Sequence, residues 1–345
     1  MHNNFLNTAD YTRTDLEELI DLALVFKRER EIGSAKFLAG RSIALVFFNP
    51  SLRTRASMQI AIHELGGNAI VVEPGSTSWA LEHREGICMD GDSAEHIAEF
   101  VHVLERYCVG IGVRTFAALG NWNEERTDPI LHAFAQYCAV PIINLESAMQ
   151  HPCQAMADMM TIREQKGMGR QRVVLNWAWH PKPLPMAVPN SFALACAQMG
   201  HELVIAHPRG YELDAELMGE MQKFAAQSGG SISLSPDIDD AFNGVDVVYT
   251  KSWGSSHYYG NSDTEARMRA PFREKWITDR EKMNRTNNAI FMHCLPVRRN
   301  VIVTDDVIDS HASVIIDEAE NRLHAQKAVM AKLFKANRLT GDKEA

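Results

Sequence analysis

The sequence of 345 residues predicts an α/β fold built from two parallel-sheet domains. Short, continuously apolar runs, such as residues 43–48, have the length and composition of strands that are buried on both faces. Segments with apolar residues at helical spacing separate these runs, and this alternation is typical of a parallel sheet. A second series of strand patterns begins near residue 173, and 345 residues are enough for two such units.

The first unit opens with an amphipathic helix at residues 16–24 and a buried strand at residues 43–48. A helical pattern follows to residue 65, where two glycines predict its end. The remaining predicted elements are a strand at 69–72, a helix at 94–106, and strands at 109–113 and 140–144. We expect them to form one parallel sheet within residues 1–150.

The second unit begins with a long helical pattern between Pro152 and Gln165. Strand patterns then recur at residues 173–175, 203–205, 245–249, 289–292 and 314–316. A final helix is predicted at 321–334, where it could pack on either unit. We therefore expect a second domain within residues 151–345.

Composition excludes several classes of protein. The net charge of −9 and the pI near 5.9 argue against a nucleic-acid partner. No apolar stretch approaches the roughly 20 residues that span a bilayer, and the first residues lack a secretory signal, so a cytoplasmic enzyme without a membrane partner is expected. Six scattered cysteines and fourteen histidines lack zinc-ligand spacing, and no complete nucleotide motif occurs. We expect no metal and no cofactor.

The most informative segment is residues 51–55, Ser-Leu-Arg-Thr-Arg, where the first strand gives way to a helix. Ser51 lies near the predicted N-cap, where free backbone N–H groups and the positive end of the helix dipole point outward. Two guanidinium groups and two hydroxyls at this position favour a phosphate site. An ordinary capped helix with solvated arginines is the alternative, and the segment alone does not decide between them.

Polar residues also follow the other predicted strands, and ligands of open α/β sheets bind beyond the carboxyl ends of the strands. They include Arg114, Glu146, residues 151–154, His180, Lys251 and residues 293–296. Each has a structural alternative, such as a surface ion pair, a helix start with proline, or a buried cysteine. Together they predict a cleft in which cationic groups from one half face polar groups from the other.

Three of these segments resemble the signatures of the aspartate/ornithine carbamoyltransferase family. Residues 51–55 match S-x-R-T-R, residues 151–154 match H-P-x-Q, and residues 293–296 match H-C-L-P, in the family's order and spacing. The resemblance covers essentially the entire chain. It implies a carbamoyl-phosphate domain followed by an amino-acid domain, a homotrimer with shared active sites, and a trefoil knot in the second domain. Without this resemblance we would not expect a knot, because knotted folds are rare.

The resemblance also implies roles for individual residues. The residues it assigns to catalysis are Arg53, Thr54, Arg114, His151, Gln154 and Cys294. Those it assigns to substrate binding are Ser51, Leu52, Trp79, Ala94, Glu146, Pro152, Cys153, His180, Asn190, Lys251, Leu295 and Arg322, with Trp79 contributed by a neighbouring subunit. The partners so implied are carbamoyl phosphate and an ornithine derivative.

One departure from the ordinary ornithine enzymes concerns the amine substrate. Those enzymes carry an aspartate for the α-ammonium group of ornithine, and a later Ser-Met-Gly loop. This chain has Lys251, followed by Ser-Trp-Gly, and contains no Ser-Met-Gly. A lysine repels an ammonium group but suits a carboxylate or an acyl oxygen. The segment resembles the branch that acts on α-N-acylated ornithine in arginine biosynthesis, as does the proline-rich stretch at 179–185.

Two acyl groups compete. Members specific for N-acetylornithine keep a glutamate at the position of Ala94 and a lysine, which becomes carboxylated, at the position of Ile302. Without that glutamate, the second carboxylate of a succinyl group meets no repulsion, which favours N-succinylornithine. Residues 317–322 and Cys153 instead resemble the acetyl-type enzymes. We favour the succinyl substrate because the argument from Ala94 concerns charge at the substrate, whereas the terminal segment is only similar in sequence.

Ordinary ornithine carbamoyl transfer and a binding protein that closes on an anionic metabolite without turnover are the alternatives. A binding protein would not need the carbonyl-facing set of Thr54, His151 and Gln154. A dehydrogenase of the same fold class is disfavoured because the glycine fingerprint is missing.

Overall fold

The computed structural model describes residues 4–30 and 36–341 of the chain, with side chains as far as residue 334. The prediction of an α/β fold with two parallel sheets is confirmed. In the described ranges the strands are β1 (Ser42–Phe47), β2 (Asn68–Val72), β3 (Leu81–Glu82), β4 (Glu95–His96), β5 (Ile111–Arg114), β6 (Ile142–Glu146), β7 (Arg172–Trp177), β8 (Glu202–Ala206), β9 (Ser231–Ser235), β10 (Val247–Lys251) and β11 (Ile290–Met292).

The α-helices of the same ranges include four that have only one turn. They are α1 (Arg13–Arg28), α2 (Arg53–Glu64), α3 (Ile97–Tyr107), α4 (Trp122–Glu125), α5 (Pro129–Tyr137), α6 (Pro152–Lys166), α7 (Ala187–Met199), α8 (Ala215–Ser228), α9 (Ile238–Ala241), α10 (Ser262–Arg269), α11 (Arg280–Met283), α12 (Asp305–Ile308) and α13 (Ile315–Gly341). No helix of the described residues is both long enough and apolar enough to cross a bilayer.

The first sheet has the strand order β2-β1-β5-β6 and the second has the order β11-β10-β7-β8-β9, with every pair parallel. In both sheets the order reverses direction at an inner strand, which leaves a crevice at the carboxyl ends. Strands β3 and β4 form a separate short ribbon. The strand at 231–235 was not predicted, because its alternating serines carry little apolar signal.

Helix ends follow local chemistry. Thr12 caps α1 in a capping box with Asp15, and Pro152 occupies the first position of α6, where its missing N–H is not needed. At α2 the cap position is Leu52, which has helical backbone angles and makes no side-chain cap. The first backbone N–H groups of α2 therefore have no side-chain partner from the cap position.

The predicted strand at residues 314–316 is wrong. Ile315 begins helix α13, and only the single residue Ser313 bridges to Phe291 of β11. The β-branched run suggested a strand, but Asp317 and Glu318 follow it in the first turn, where the helix dipole favours acidic side chains.

Helix α13 returns from the second sheet to the first. It packs against α1, α2 and α6, and Lys332 pairs with Asp15 of α1 at 2.8 Å. An ion pair also joins the buried Lys327 to the partly exposed Glu64 of α2. The last helix therefore links the two halves of the cleft, while the boundary after residue 150 stays a prediction.

The proline-rich loop at 179–185 packs against the segment after β10. The Gly254 N–H donates to the Leu184 carbonyl at 2.7 Å, and the buried Arg269 guanidinium donates to the carbonyls of His180 and Trp253. These bonds hold Lys251 and His180 at one side of the cleft. The knot itself stays a prediction.

Candidate active site

A cavity of about 520 Å³ opens where the carboxyl ends of the two sheets meet. Thirteen of the eighteen residues predicted for the site line it: Ser51, Leu52, Arg53, Thr54, Arg114, Glu146, His151, Gln154, His180, Lys251, Cys294, Leu295 and Arg322. The structure therefore has the cleft that was expected at the strand ends, and residues from both sheets form its walls.

The start of helix α2 forms one wall of the cavity. Arg53 is partly buried and makes no hydrogen bond or ion pair with any described residue. Arg55, two residues later, points elsewhere and pairs with Glu73 at 2.8 Å. The expectation that both arginines serve one anion site is therefore wrong for Arg55, because a half-turn of helix separates the two side chains.

A buried network lies behind Arg53. The Arg322 guanidinium of α13 donates to the Thr54 hydroxyl at 2.6 Å and lies 3.5 Å from His151 Nε2. Burial, together with Arg322 and Arg114, lowers the pKa of His151 well below its usual value. The imidazole is therefore neutral near pH 7 and keeps one N–H that can donate.

Arg114, at the end of β5, forms a buried ion pair with Glu146, at the end of β6. Glu146 has a φ of 142°, a region that side chains rarely adopt, and lies 3.6 Å from His151 Nε2. Such strain is typical of functional sites. The buried Nε groups of Arg114 and Arg322 have no hydrogen-bond partner among the described residues. Three arginines face one carboxylate here, so this wall carries excess positive charge and suits an anion.

Gln154 and the turn after β11 form the adjoining wall. The Gln154 amide nitrogen donates to Asp158 at 2.8 Å and to Glu318 at 3.2 Å, whereas its amide oxygen is buried without a partner among the described residues. Leu295 has a φ of 57°, and its N–H donates to His293 Nδ1 at 2.9 Å. Acceptor oxygens are thus available for a donor group inside the cavity.

The opposite wall carries Lys251, His180 and Arg298. The Lys251 ammonium donates to the Ser252 carbonyl at 3.0 Å, and Arg298 Nε donates to His180 Nε2 at 2.9 Å. Burial, together with Arg298 and Lys251, lowers the pKa of His180. Two cationic side chains and a neutral histidine therefore face the cavity, and none of the described residues that line it is an aspartate.

Five predicted residues do not line the cavity of the single chain. Trp79 is 58% exposed and donates to Glu95 at 2.6 Å, and the exposed Ala94 lies beside that glutamate. Pro152 and Cys153 are buried in the first turn of α6, and the buried Asn190 donates to the Met149 carbonyl at 3.1 Å. Their assignment to the substrate stays a prediction.

Pro296, within the predicted segment 293–296, also lines the cavity. Sequence reasoning missed several other lining residues, namely Pro50, Phe116, Leu184, Pro185, Val188 and Arg298. Arg298 is the charged one among them. Its position three residues after Leu295 was a usable signal, since the same turn delivers both side chains.

Comparison with known proteins agrees with this geometry. The carbamoyl-P binding domain model of the aspartate/ornithine carbamoyltransferases matches residues 3–164, and the Asp/Orn binding domain model matches residues 186–333. The chain is 46% identical over 339 residues to the N-acetylornithine carbamoyltransferase of Xanthomonas campestris pv. campestris, covering 97% of this chain and 98% of that protein.

Two further similarities bear on the acyl group. The chain is 41% identical to the N-succinylornithine carbamoyltransferase of Bacteroides fragilis, covering 93% of this chain and 95% of that protein. It also matches, with a TM-score of 0.93 and 46% identity over 96% of this chain and 99% of that one, a solved N-acetyl-L-ornithine transcarbamylase. That structure is of a mutant with a glutamate replaced by alanine, complexed with carbamyl phosphate and N-succinyl-L-norvaline. The chain belongs to the aspartate/ornithine carbamoyltransferase family.

Proposed function

We propose that this protein transfers the carbamoyl group of carbamoyl phosphate to the δ-amine of an α-N-acylated ornithine, as a step of arginine biosynthesis. The observation that carries the proposal is the cavity with two cationic walls. One wall has Arg53, which has no partner among the described residues, next to the Arg322–Thr54–His151 network, and the other has Lys251 in place of an acid.

On the donor side, the phosphate dianion pairs with Arg53 and with the open N–H groups at the start of α2. Since Arg322 donates to the Thr54 oxygen, the hydroxyl hydrogen of Thr54 is free to donate to the carbamoyl carbonyl. Arg114 and the neutral His151 donate to the same oxygen. Together they stabilise the negative charge that develops there in the tetrahedral transition state.

The chemical step needs no covalent intermediate. The neutral δ-amine attacks the carbonyl carbon, a C–N bond forms, and the bond from that carbon to the phosphate oxygen breaks. The departing phosphate accepts the amine proton. An amine with a reference pKa near 10.4 must lose a proton before attack, and the positive charge of the walls favours its neutral form. Positioning supplies most of the acceleration.

On the acceptor side, we propose that N-succinylornithine is the preferred substrate. It carries two carboxylates, and Lys251 and Arg298 supply two cations on this wall. Ala94 offers no charge to repel the succinyl carboxylate. The solved relative that carries alanine for a glutamate and holds N-succinyl-L-norvaline is consistent with this choice. N-acetylornithine is the second candidate, because the relative at 46% identity is named for it.

We also propose that the active site is completed in a homotrimer. Trp79 and Ala94 lie together on an exposed surface, outside the cavity of their own chain. A neighbouring copy that presents this surface would bring both residues to the acyl group. Mixing the inactive variants Trp79→Ala and Arg53→Ala should then restore part of the activity in mixed trimers. No recovery from mixed trimers would contradict shared sites.

One assay tests the substrate. Purified protein is incubated with carbamoyl phosphate and, separately, with ornithine, N-acetylornithine or N-succinylornithine, and both phosphate and the citrulline product are quantified. We expect turnover of N-succinylornithine above N-acetylornithine, and the least with free ornithine. Turnover of free ornithine above both acylated forms would contradict the role of Lys251. A strong acetyl preference would contradict the role of Ala94 alone.

A further inference from the structure

Two carboxyl groups lie directly behind the cavity wall and are not used in the mechanism above. Asp158 follows Gln154 by one turn of α6, and Glu318 lies in the first turn of α13. Both side chains are fully buried. A buried carboxyl pair is costly unless it is neutralised and hydrogen-bonded. This Asp158–Glu318 carboxyl pair therefore needs an explanation.

The carboxyl pair contacts two elements of the wall at once. Asp158 and Glu318 both accept from the Gln154 amide nitrogen, at 2.8 and 3.2 Å. The other oxygen of Glu318 accepts from the backbone N–H of His293 at 2.8 Å, just before the Cys294–Leu295 turn. One pair of side chains thus holds both Gln154 and the turn that follows β11.

These contacts fix the orientation of the Gln154 amide. If the amide were flipped, its oxygen would face two carboxyl oxygens and its nitrogen would lose both acceptors. The observed arrangement leaves the amide oxygen buried and without a partner among the described residues, at the cavity wall. An unpartnered buried acceptor costs free energy until a donor arrives.

We propose that Asp158 and Glu318 are positioning residues that share one proton and hold the Gln154 amide and the Cys294–Leu295 turn in place. By the family resemblance, these are the groups that bind the NH2 group of carbamoyl phosphate. The inference rests on the function proposed above. Two fully buried carboxyls whose oxygens accept from one amide nitrogen cannot both carry a charge at low cost, so the pair holds one proton. Through Gln154 and this turn, the pair favours a donor that carries an NH2 group, whereas the arginines bind its phosphate.

The surroundings of the pair agree with one shared proton. Burial raises the pKa of Asp158 to about 7, and burial together with Asp158 raises the pKa of Glu318 well above its usual value. The titratable and charged groups that face the pair are Tyr249 of β10, Cys196 of α7, His293 and Cys294 after β11, and Arg322 of α13. Arg322 is the only fixed cation among these, and it balances the one remaining negative charge.

Acetyl phosphate provides a matched probe, since a methyl group replaces the NH2 group of carbamoyl phosphate. The experiment measures KM for carbamoyl phosphate and the inhibition constant of acetyl phosphate in the same variants. Asp158→Ala should raise KM for carbamoyl phosphate up to about tenfold, the loss of one hydrogen bond between the neutral NH2 group and a neutral acceptor. The inhibition constant of acetyl phosphate should stay within about twofold, because no N–H is present to be held.

Asp158→Asn is the conservative control. Its amide can accept from Gln154 and donate to Glu318, as a protonated aspartate does, so KM for carbamoyl phosphate should return close to that of the parent. Gln154→Ala combined with Asp158→Ala should be no worse than Gln154→Ala alone. The proposal would be overturned if Asp158→Ala weakened the binding of carbamoyl phosphate and of acetyl phosphate equally. It would also be overturned if Asp158→Asn raised KM for carbamoyl phosphate as much as Asp158→Ala does.

A second measurement serves if Asp158→Ala does not fold. The shared proton leaves as the pH rises, so the preference of the parent for carbamoyl over acetyl phosphate should fall at alkaline pH. Asp158→Asn has no shared proton to lose, and its preference should stay constant. The same pH dependence in both proteins would refute a shared proton. Absence of carbamoyl transfer by the parent would instead contradict the proposed function, so the two failures are distinguishable.

Discussion

The two walls of the cavity differ in how tightly the fold holds them. The donor wall is formed by the starts of α2 and α6 together with Arg114, Glu146 and Arg322. Its Thr54, His151 and Gln154 are at most 2% exposed, and Arg322 donates to the Thr54 hydroxyl and lies 3.5 Å from His151 Nε2. On the acceptor wall, Lys251 is 9% exposed and Arg298 is exposed. We therefore expect the chemistry common to the family to depend on the more buried wall, and the choice of substrate to depend on the more accessible one.

The largest expected effect concerns the donor wall. His151→Ala removes one N–H from the carbonyl oxygen, and loss of such a donor costs about 100- to 1,000-fold in kcat. KM for both substrates should change little, because the interaction strengthens only in the transition state. His102→Ala, on an exposed turn of α3, is the control and should behave as the parent. A His151 variant with unchanged kcat would contradict the oxyanion role.

The next effect concerns the acceptor wall. Lys251→Met should raise KM for the acylated ornithine by about 10- to 100-fold, the range for a hydrogen bond to a charged group. KM for carbamoyl phosphate should stay the same, since Lys251 lies on the acceptor wall and not on the wall that binds the phosphate. Lys275→Met serves as control, because Lys275 forms only an exposed pair with Asp237. Steady-state kinetics with each substrate varied in turn would show an equal rise in both KM values if the two walls were not separate.

The smallest effect concerns the acyl group. Ala94→Glu should lower the ratio of kcat/KM for N-succinylornithine to that for N-acetylornithine by about fivefold, the effect of one like charge at a solvated distance of a few ångströms. Ala94→Gln has the same size without the charge and should change the ratio less. Equal effects of the Glu and Gln variants would show that space rather than charge decides between the acyl groups.

The donor wall is also the part that sequence predicted better. The motifs at 51–55 and 151–154 led to residues that share one cavity, because strand ends of a parallel sheet converge. Arg55 and the strand at 314–316 were wrong, since local pattern does not reveal which way a side chain points or whether an apolar run starts a helix. The contact of Glu318 with Gln154 could not be derived from local pattern, because tertiary packing creates it across 164 residues. Arg298 was missed although its position three residues after Leu295 offered a local signal.

The most direct test of the account compares two neighbouring arginines. Arg53 lines the cavity and pairs with no residue in the described part of the chain, whereas Arg55 pairs with Glu73 outside the cavity. Phosphate release from carbamoyl phosphate, in the presence of an acylated ornithine, is measured for Arg53→Ala, Arg55→Ala and the parent. We expect kcat/KM for carbamoyl phosphate to fall about 100-fold or more in Arg53→Ala, and to change only a few-fold in Arg55→Ala. Parent-like phosphate release by Arg53→Ala would contradict the claim that this wall binds the phosphorylated donor.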